Sequence, residues 1–442
     1  MNLKNNLILI FLIILSSFLI FYQFTFIPKY LTFDEVEFTK LALSLDGKPY
    51  TPYSPLATGH STLYFYILLL SLKIFGVNVF ALRFPAAIFG ILSVITFYFI
   101  VRLSFRASAR NLATEGSAKK KSYASLDFSV ASLLRNDKWF AFLLTFIFLS
   151  SRWFLNFSRF AFEPTFLLFL ELTSIYFLFQ CFTVPAGRQE TLKWQYLILS
   201  GIFSGLVFNS YTPGRIFFFL PLFFLTLKTL RTLKLYKLVY FIIPFLITIT
   251  PLTTYLLTHK ETRIDQQFFL RNSEMTVNEK ISGLWHNVSS TTLMFFAKGD
   301  MNGRHNYPGK PALNPILGIL FIAGLIIAIK NIRNFHNQLF LFYFLLSIFP
   351  TLVTYPWENP NMLRAFTAIP SLVYFIGLAI VSISKKIKAK YLYLIFFVVL
   401  LSSLYELRTY FKYQSKVFES SFEIQYPLDK AIKLKNPYEK GL

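Results

Sequence analysis

Three carboxylates in four residues, Asp34, Glu35 and Glu37, open the stretch LTFDEVEF, and His60 follows after a loop broken by Gly47, Pro49, Pro52 and Pro55. A carboxylate at a water–lipid boundary can take a proton from a hydroxyl, and an imidazole can bind a substrate or hold a metal. Thr32 with Glu35 three residues on has the form of a capping box, so a short helix is expected from Phe33. Asp34 then falls in the first turn, where the positive helix end favours its ionised form. Asp34 is therefore the leading candidate base. Glu35 is the second, because capping already gives it a structural task. The plain alternative is that these acids cap a helix and keep a loop wet.

Other residues further along could handle an anion. Arg159 and Glu163 in SRFAFEP stand four apart, as for an ion pair on one helix face or a group that holds phosphate and orients an acceptor. Glu171 lies within an apolar run, where a carboxyl is costly and by default functional, although a neutral hydrogen-bonded Glu is the alternative. Tyr211 and Arg215 in YTPGR, and Arg364 in ENPNMLR, precede or begin apolar runs. A guanidinium there can bind phosphate through two parallel hydrogen bonds or simply anchor a helix end. The piece GDMNGRHNYPGKP at 299–311 sets Asp300, Arg304, His305 and Lys310 in a glycine-rich frame. It lacks the Lys-Ser/Thr ending of a nucleotide-binding loop and suits a lid over a polar ligand. Asp34, His60, Glu163, His286 and His305 could ligate a divalent metal, but their spacing predicts no particular site. No cofactor is required.

The elements that must position these residues are membrane spans. Apolar residues make up 55% of the 442 and charged ones 15%, with 55 phenylalanines. Such a chain reads as an all-α polytopic membrane protein. Eleven spans are expected, near 6–25, 80–102, 139–156, 161–181, 195–212, 215–230, 238–257, 312–329, 339–355, 364–383 and 391–406. Leu63–Ile74 is too short to cross a core of roughly 30 Å and suits a helix lying at the interface. One membrane domain thus covers 1–406, with outer loops 26–79 and 258–311 and a basic cytoplasmic loop at 103–138. The tail 407–442 is too small for its own core and is expected either to dock or to stay loosely ordered. The first apolar run lacks a small-residue cleavage motif, so it reads as a retained span.

The net charge of +23 does not call for nucleic acid. Basic residues recur in alternate loops, where 21 Lys and Arg against 4 acids leave +17 on one side. The positive-inside rule places that side, with the N-terminus, in the cytoplasm; anionic lipid attracts it there. Asp34, Arg215, Arg364, the 258–311 loop and the C-terminus then share the outer face. Cys181 is the single cysteine, so no intrachain disulfide or thiolate cluster can form.

With these motifs in order, the chain resembles the GT-C membrane glycosyltransferases related to protein O-mannosyltransferases and the lipid A aminoarabinose transferase. The motifs are FDEVEF (33–38), TGHSTLYFY (58–66), FGVNVFALRFPAAIFG (75–90), SRFAFEP (158–164), YTPGR (211–215), GDMNGRHNYPG (299–309) and ENPNMLRAFTAIP (358–370). The resemblance covers about residues 5–420 and implies a GT-C bundle. It implies inverting transfer from a polyprenyl-phosphate sugar on the outer face, with Asp34 at the catalytic aspartate of the first outer loop. Lipid, glycan and protein hydroxyls all stay open as acceptors, and the soluble C-terminal domain of many relatives is reduced here to a tail. A transporter of lipid-linked glycans would also carry acids and arginines in its spans, but no paired internal repeat is visible. A non-catalytic membrane scaffold is the third reading.

Overall fold

Backbone groups in lipid must bond within their own segment, which makes each long apolar run a helix. A computed structural model of the chain describes residues 7–118, 137–183, 190–232, 235–259, 261–384 and 389–433. In order, the first half contains α1 (Leu7–Phe21), α2 (Phe33–Ser44), β1 (Tyr53–Ser54), β2 (His60–Ser61), α3 (Leu63–Phe75), α4 (Val79–Ala118), α5 (Asp137–Ser150), α6 (Arg152–Ser158), α7 (Pro164–Thr183) and α8 (Glu190–Phe208). The second half contains α9 (Phe219–Thr232), α10 (Val239–Thr258), α11 (Thr262–Gln267), α12 (Val277–Met294), α13 (Pro315–Lys330), α14 (Phe335–Leu352), α15 (Ile369–Ser384), α16 (Ala389–Arg408), α17 (Ser415–Ser421) and α18 (Leu428–Ala431). The only sheet among the described residues is the antiparallel pair β1–β2, with Tyr53 opposite Ser61 and Ser54 opposite His60.

The chain is a multi-pass membrane protein. Every interval expected to span carries a helix. Among the described residues, seven segments are long and apolar enough to cross a bilayer, and the pair α5–α6, bent by 66°, makes an eighth if counted as one span. The three other expected spans fall on shorter apolar helices, Leu7–Phe21, Trp194–Phe208 and Pro315–Lys330. Leu63–Phe75 is likewise short. One boundary differs from expectation: α4 continues as helix to Ala118, well into the stretch read as a linker. The run KKK at 119–121 lies outside the described residues.

The bundle is built around α4, which packs against α1, α5 and α7; α8 then lies between α7 and α10, and α13 lies against α15. Without water, close backbone approach supplies much of the packing between helices. Gly201 and Gly205 on α8 show how. A Cβ at Gly201 would strike the Phe241 carbonyl, and one at Gly205 the Thr248 side chain, so α10 could not seat as it does. Phenylalanine rings fill the interior, many edge-on, as with Phe38 and Phe162 at 4.8 Å between centroids.

The described part of the tail docks onto the bundle. Leu31 and Ile424 exchange backbone hydrogen bonds of 3.0 and 2.9 Å, and Phe418, Phe422, Ile424 and Leu428 are buried. Glu406 on α16 receives hydrogen bonds from Arg152 and Asn314, both buried, so the last span is tied to the α5–α6 bend by charge as well as by packing.

Candidate active site

The expected capping box forms. Thr32 Oγ1 accepts the Glu35 N–H at 3.1 Å, and Glu35 Oε2 accepts the Thr32 N–H at 3.2 Å. Glu35 does more than cap: it is fully buried and takes Arg83 through both oxygens, at 2.7 and 3.0 Å. Arg83, also fully buried, spends its remaining donors on the Pro28 and Tyr30 carbonyls. Glu35 is therefore a structural clamp, which removes it as a catalytic candidate. Asp34, one residue earlier, points the other way. Its side chain is 46% exposed, and its Oδ2 accepts a hydrogen bond of 2.7 Å from Arg304.

Asp34 lines a cleft of about 470 Å³ whose walls come from several loops at one end of the bundle. Arg263 and Gln267 reach it from α11, Asp300, Arg304 and His305 from the glycine-rich loop, and Glu358 and Arg364 from the loop before α15. Tyr211 and Phe162 also line it. Asp300 joins two of the walls. Its Oδ2 accepts from His305 Nδ1 at 3.0 Å and from the Met362 N–H at 2.9 Å, while Oδ1 accepts the Asn302 N–H at 2.8 Å.

Three guanidinium groups thus share one cleft, and they differ in what balances them. Arg304 pairs with Asp34, and Arg364 with Glu358. Arg263 bonds neutral groups instead: its Nη1 donates to the Gly59 carbonyl and to His60 Nε2, each at 2.6 Å. Its Nε has no partner among the described residues, and its guanidinium lies 5.7 Å from the Tyr211 ring. A buried cation held by neutral groups is poised for an anion. Burial raises the Tyr211 pKa, so the phenol is neutral and serves as a donor and a stacking surface.

His60 sits behind Arg263 and does not line the cleft. The β1–β2 turn fixes it there. Gly59 has φ of 90°, and a Cβ there would collide with the Tyr53 ring, so the turn requires glycine. His60 Nδ1 lies 2.7 Å from Glu163 Oε1, while Nε2 faces Arg263. Because arginine can only donate, Nε2 accepts and Nδ1 carries the proton toward Glu163. Burial first, and then the Arg263 charge, lower the His60 pKa against the opposing pull of Glu163. Glu163 is fully buried, and its Oε2 has no partner among the described residues.

The other expected residues divide. Arg304, His305, Arg364 and Tyr211 line the cleft with Asp34. Arg159 does not: it is fully buried and donates to the Leu19, Ile20, Gln23 and Ile27 carbonyls, stapling the chain after α1. No pair with Glu163 forms, because residues 159–163 lie between two helices and spacing by four has no helical meaning there. Lys310 also leaves the site, donating to the Tyr405 hydroxyl at 2.7 Å. Arg215 pairs with Glu261 at 2.6 Å and is absent from the cleft wall. Glu171 accepts from the buried Tyr343 hydroxyl at 2.7 Å, as a hydrogen-bonded carboxyl within the bundle would. His286 is exposed on α12. Among the described residues no three His, Cys, Asp or Glu side chains converge as a metal site requires, and both His60 nitrogens are engaged.

A second hollow adjoins the first. It shares Tyr211, Gln267 and Arg364 with the cleft and is otherwise mostly apolar, walled by Pro213, Ile216, Phe268, Phe349 and Pro350. Its apolar wall belongs to the Thr212–Leu230 and Phe335–Leu352 spans as well as the loop before α12.

Comparison with known proteins points one way. Residues 59–114 match the family model of dolichyl-phosphate-mannose-protein mannosyltransferases. No curated protein matches by sequence. Among solved structures, the chain is similar to ArnT from Cupriavidus metallidurans bound to undecaprenyl phosphate, with TM-score 0.56, 10% identity, and 96% of this chain aligned to 77% of that one. The apo form of the same enzyme aligns with TM-score 0.53 and 11% identity over the same shares, 96% and 77%. The apo oligosaccharyltransferase of Archaeoglobus fulgidus aligns with TM-score 0.51 and 13% identity, over 95% of this chain and 56% of that one. In fold, the chain is a GT-C bundle of the ArnT type.

Proposed function

We propose that the protein is an inverting glycosyltransferase that moves a sugar from a polyprenyl-phosphate carrier to a hydroxyl of a lipid, glycan or protein at the outer face of the membrane. The observation that carries this reading is the meeting of Asp34 with Arg263, Arg304 and Arg364 in one cleft, beside an apolar hollow continuous with the spans. The fold shared with an undecaprenyl-phosphate-bound enzyme supports the donor class. The alternating basic loops support the orientation.

The geometry supports the following roles. The prenyl chain lies along the apolar hollow, and the phosphate meets Arg263 and Arg364 where the two spaces join. Arg304 orients Asp34 through their ion pair, and the exposed part of the carboxylate receives the acceptor hydroxyl. As the acceptor oxygen bonds to the anomeric carbon, its proton passes to Asp34. The bond from that carbon to the phosphate oxygen breaks on the opposite side. Charge then grows on the departing phosphate, and the guanidinium groups stabilise it in place of an acid.

Purified protein in lipid nanodiscs, given a panel of labelled polyprenyl-phosphate sugars, is expected to transfer one of them to a hydroxyl acceptor with inversion. Strict use of a soluble sugar nucleotide would overturn the donor assignment. Movement of an intact lipid-linked glycan with no glycosidic bond changed would show a transporter instead.

A further inference from the structure

Helix α12 has three faces, each of a different character. Gly283, Asn287, Thr291 and Met294 are buried against the bundle. Val277, Ile281, Trp285 and Val288 are exposed, at 72, 60, 75 and 41%. Asn278, Ser282 and His286 form an exposed polar strip. With 3.6 residues per turn these sets occupy separate thirds of the circumference. A soluble helix has two surroundings, protein and water, and needs two faces. A third face, apolar and open, requires a third medium.

The height of α12 identifies that medium. Asn287 Nδ2 donates to the Leu352 and Thr354 carbonyls at 2.9 and 2.6 Å, which pins the middle of α12 to the end of the Phe335–Leu352 span. That span exposes Leu345 and Phe349, as a lipid-facing helix does, so α12 is fastened to the end of a lipid-facing helix. Close packing keeps it there: a Cβ at Gly283 would press on Phe269 and Pro356 at 3.0 and 3.2 Å. Beside Pro356 stands Trp357, 75% exposed and part of the cleft wall. Trp285 and Trp357 are the residue type that settles at the headgroup level.

We propose that α12 lies in the membrane boundary, with Val277, Ile281, Trp285 and Val288 in lipid, and that it sets the level of the cleft against the bilayer. The helix joins the two cleft walls, since Arg263 and Gln267 precede it and Asp300 and Arg304 follow. Seating it in lipid fixes both walls at headgroup depth. This surface stands independently of sugar transfer.

The test is a spin-label scan in nanodiscs of phosphatidylcholine with phosphatidylglycerol, in a Cys181→Ala background. Labels at V277C, I281C and W285C are expected to collide with oxygen and to be shielded from a water-soluble nickel chelate. Labels at N278C, S282C and H286C are expected to show the reverse. All six positions are exposed, so the variants keep the packed face intact. The oxygen-to-nickel ratio should differ severalfold between the two sets. Nickel access at 277, 281 and 285 equal to that at 278, 282 and 286 would place the helix in water. Shielding of the first set from both reagents would show a protein partner or a second copy on that face. Either result overturns the proposal.

Discussion

Asp34 and Glu35 are neighbours in the chain and opposites in the molecule. Both sit in the first turn of α2, and each has an arginine partner. The Glu35–Arg83 pair is fully buried and bound to backbone on every side, whereas Asp34 is 46% exposed and its Arg304 is 28% exposed. A pair sealed away from solvent can only hold structure, and removing one member strands the other. A pair at a cleft edge holds little structural energy but can exchange partners. One step along a helix, a rotation of about 100°, separates a clamp from a candidate base.

The largest expected effect lies on the clamp. Glu35→Gln leaves the Arg83 charge buried without a counter-ion and should cost about 3–5 kcal/mol of stability. Thermal unfolding in detergent measures it; a variant as stable as the wild type would mean that Arg83 finds other compensation and that the two carboxylates are more alike than they look. Asp34→Asn keeps size and hydrogen bonding but removes basicity. It should lower transfer by roughly 100-fold with stability almost unchanged. Turnover and unfolding measured on the same preparation separate these, and near-normal turnover would remove Asp34 as the base.

A smaller effect sharpens the same contrast at His60, a buried group next to the cleft. In the folded chain its pKa lies below the ordinary value, chiefly through burial and then through Arg263. As pH falls through about 6.5 the unfolded chain takes up a proton that the folded chain refuses, so stability declines below that pH and is unaffected above it. The slope from this one group is at most about 1.4 kcal/mol per pH unit. Wild type and His60→Gln, unfolded across pH 5 to 8 (about the range where an imidazole titrates), should differ by that slope. Parallel curves would show that His60 takes up its proton in the folded chain as readily as in the unfolded one.

Local features were legible in the sequence and distant pairings were not. The capping box of Thr32 and Glu35 is written within four residues. The Arg83 that claims Glu35 lies 48 positions away, and nothing in FGVNVFALR announces the pairing. Arg159 and Glu163 show how a spacing rule fails. They read as helical neighbours, but α6 ends at Ser158 and α7 begins at Pro164. Lys310 looks like a phosphate ligand by charge and company; its partner, Tyr405, is 95 residues on. Arg263 was missed because TRIDQQ carries no glycine frame and no apolar run. The single hint is an arginine in a loop that the charge rule assigns to the outer face, where it disfavours one. The spans were legible because hydropathy over some 20 residues needs no partner to be read.

The bridge between Leu31 and Ile424 bears on how the protein is made. Leu31 stands immediately before the Thr32 cap, three residues from Asp34, and its backbone partner is synthesised 393 residues later. Phe422 from the same late segment lies against the Arg83 guanidinium that holds Glu35. During translation, then, the loop that carries Asp34 waits for this late segment to arrive. The backbone pairing beside the cap forms only after the late segment has been made, so a ribosome-bound chain carries its aspartate on an unfinished loop. Order of synthesis thereby delays the anchoring of this loop until the helices of the bundle have been made.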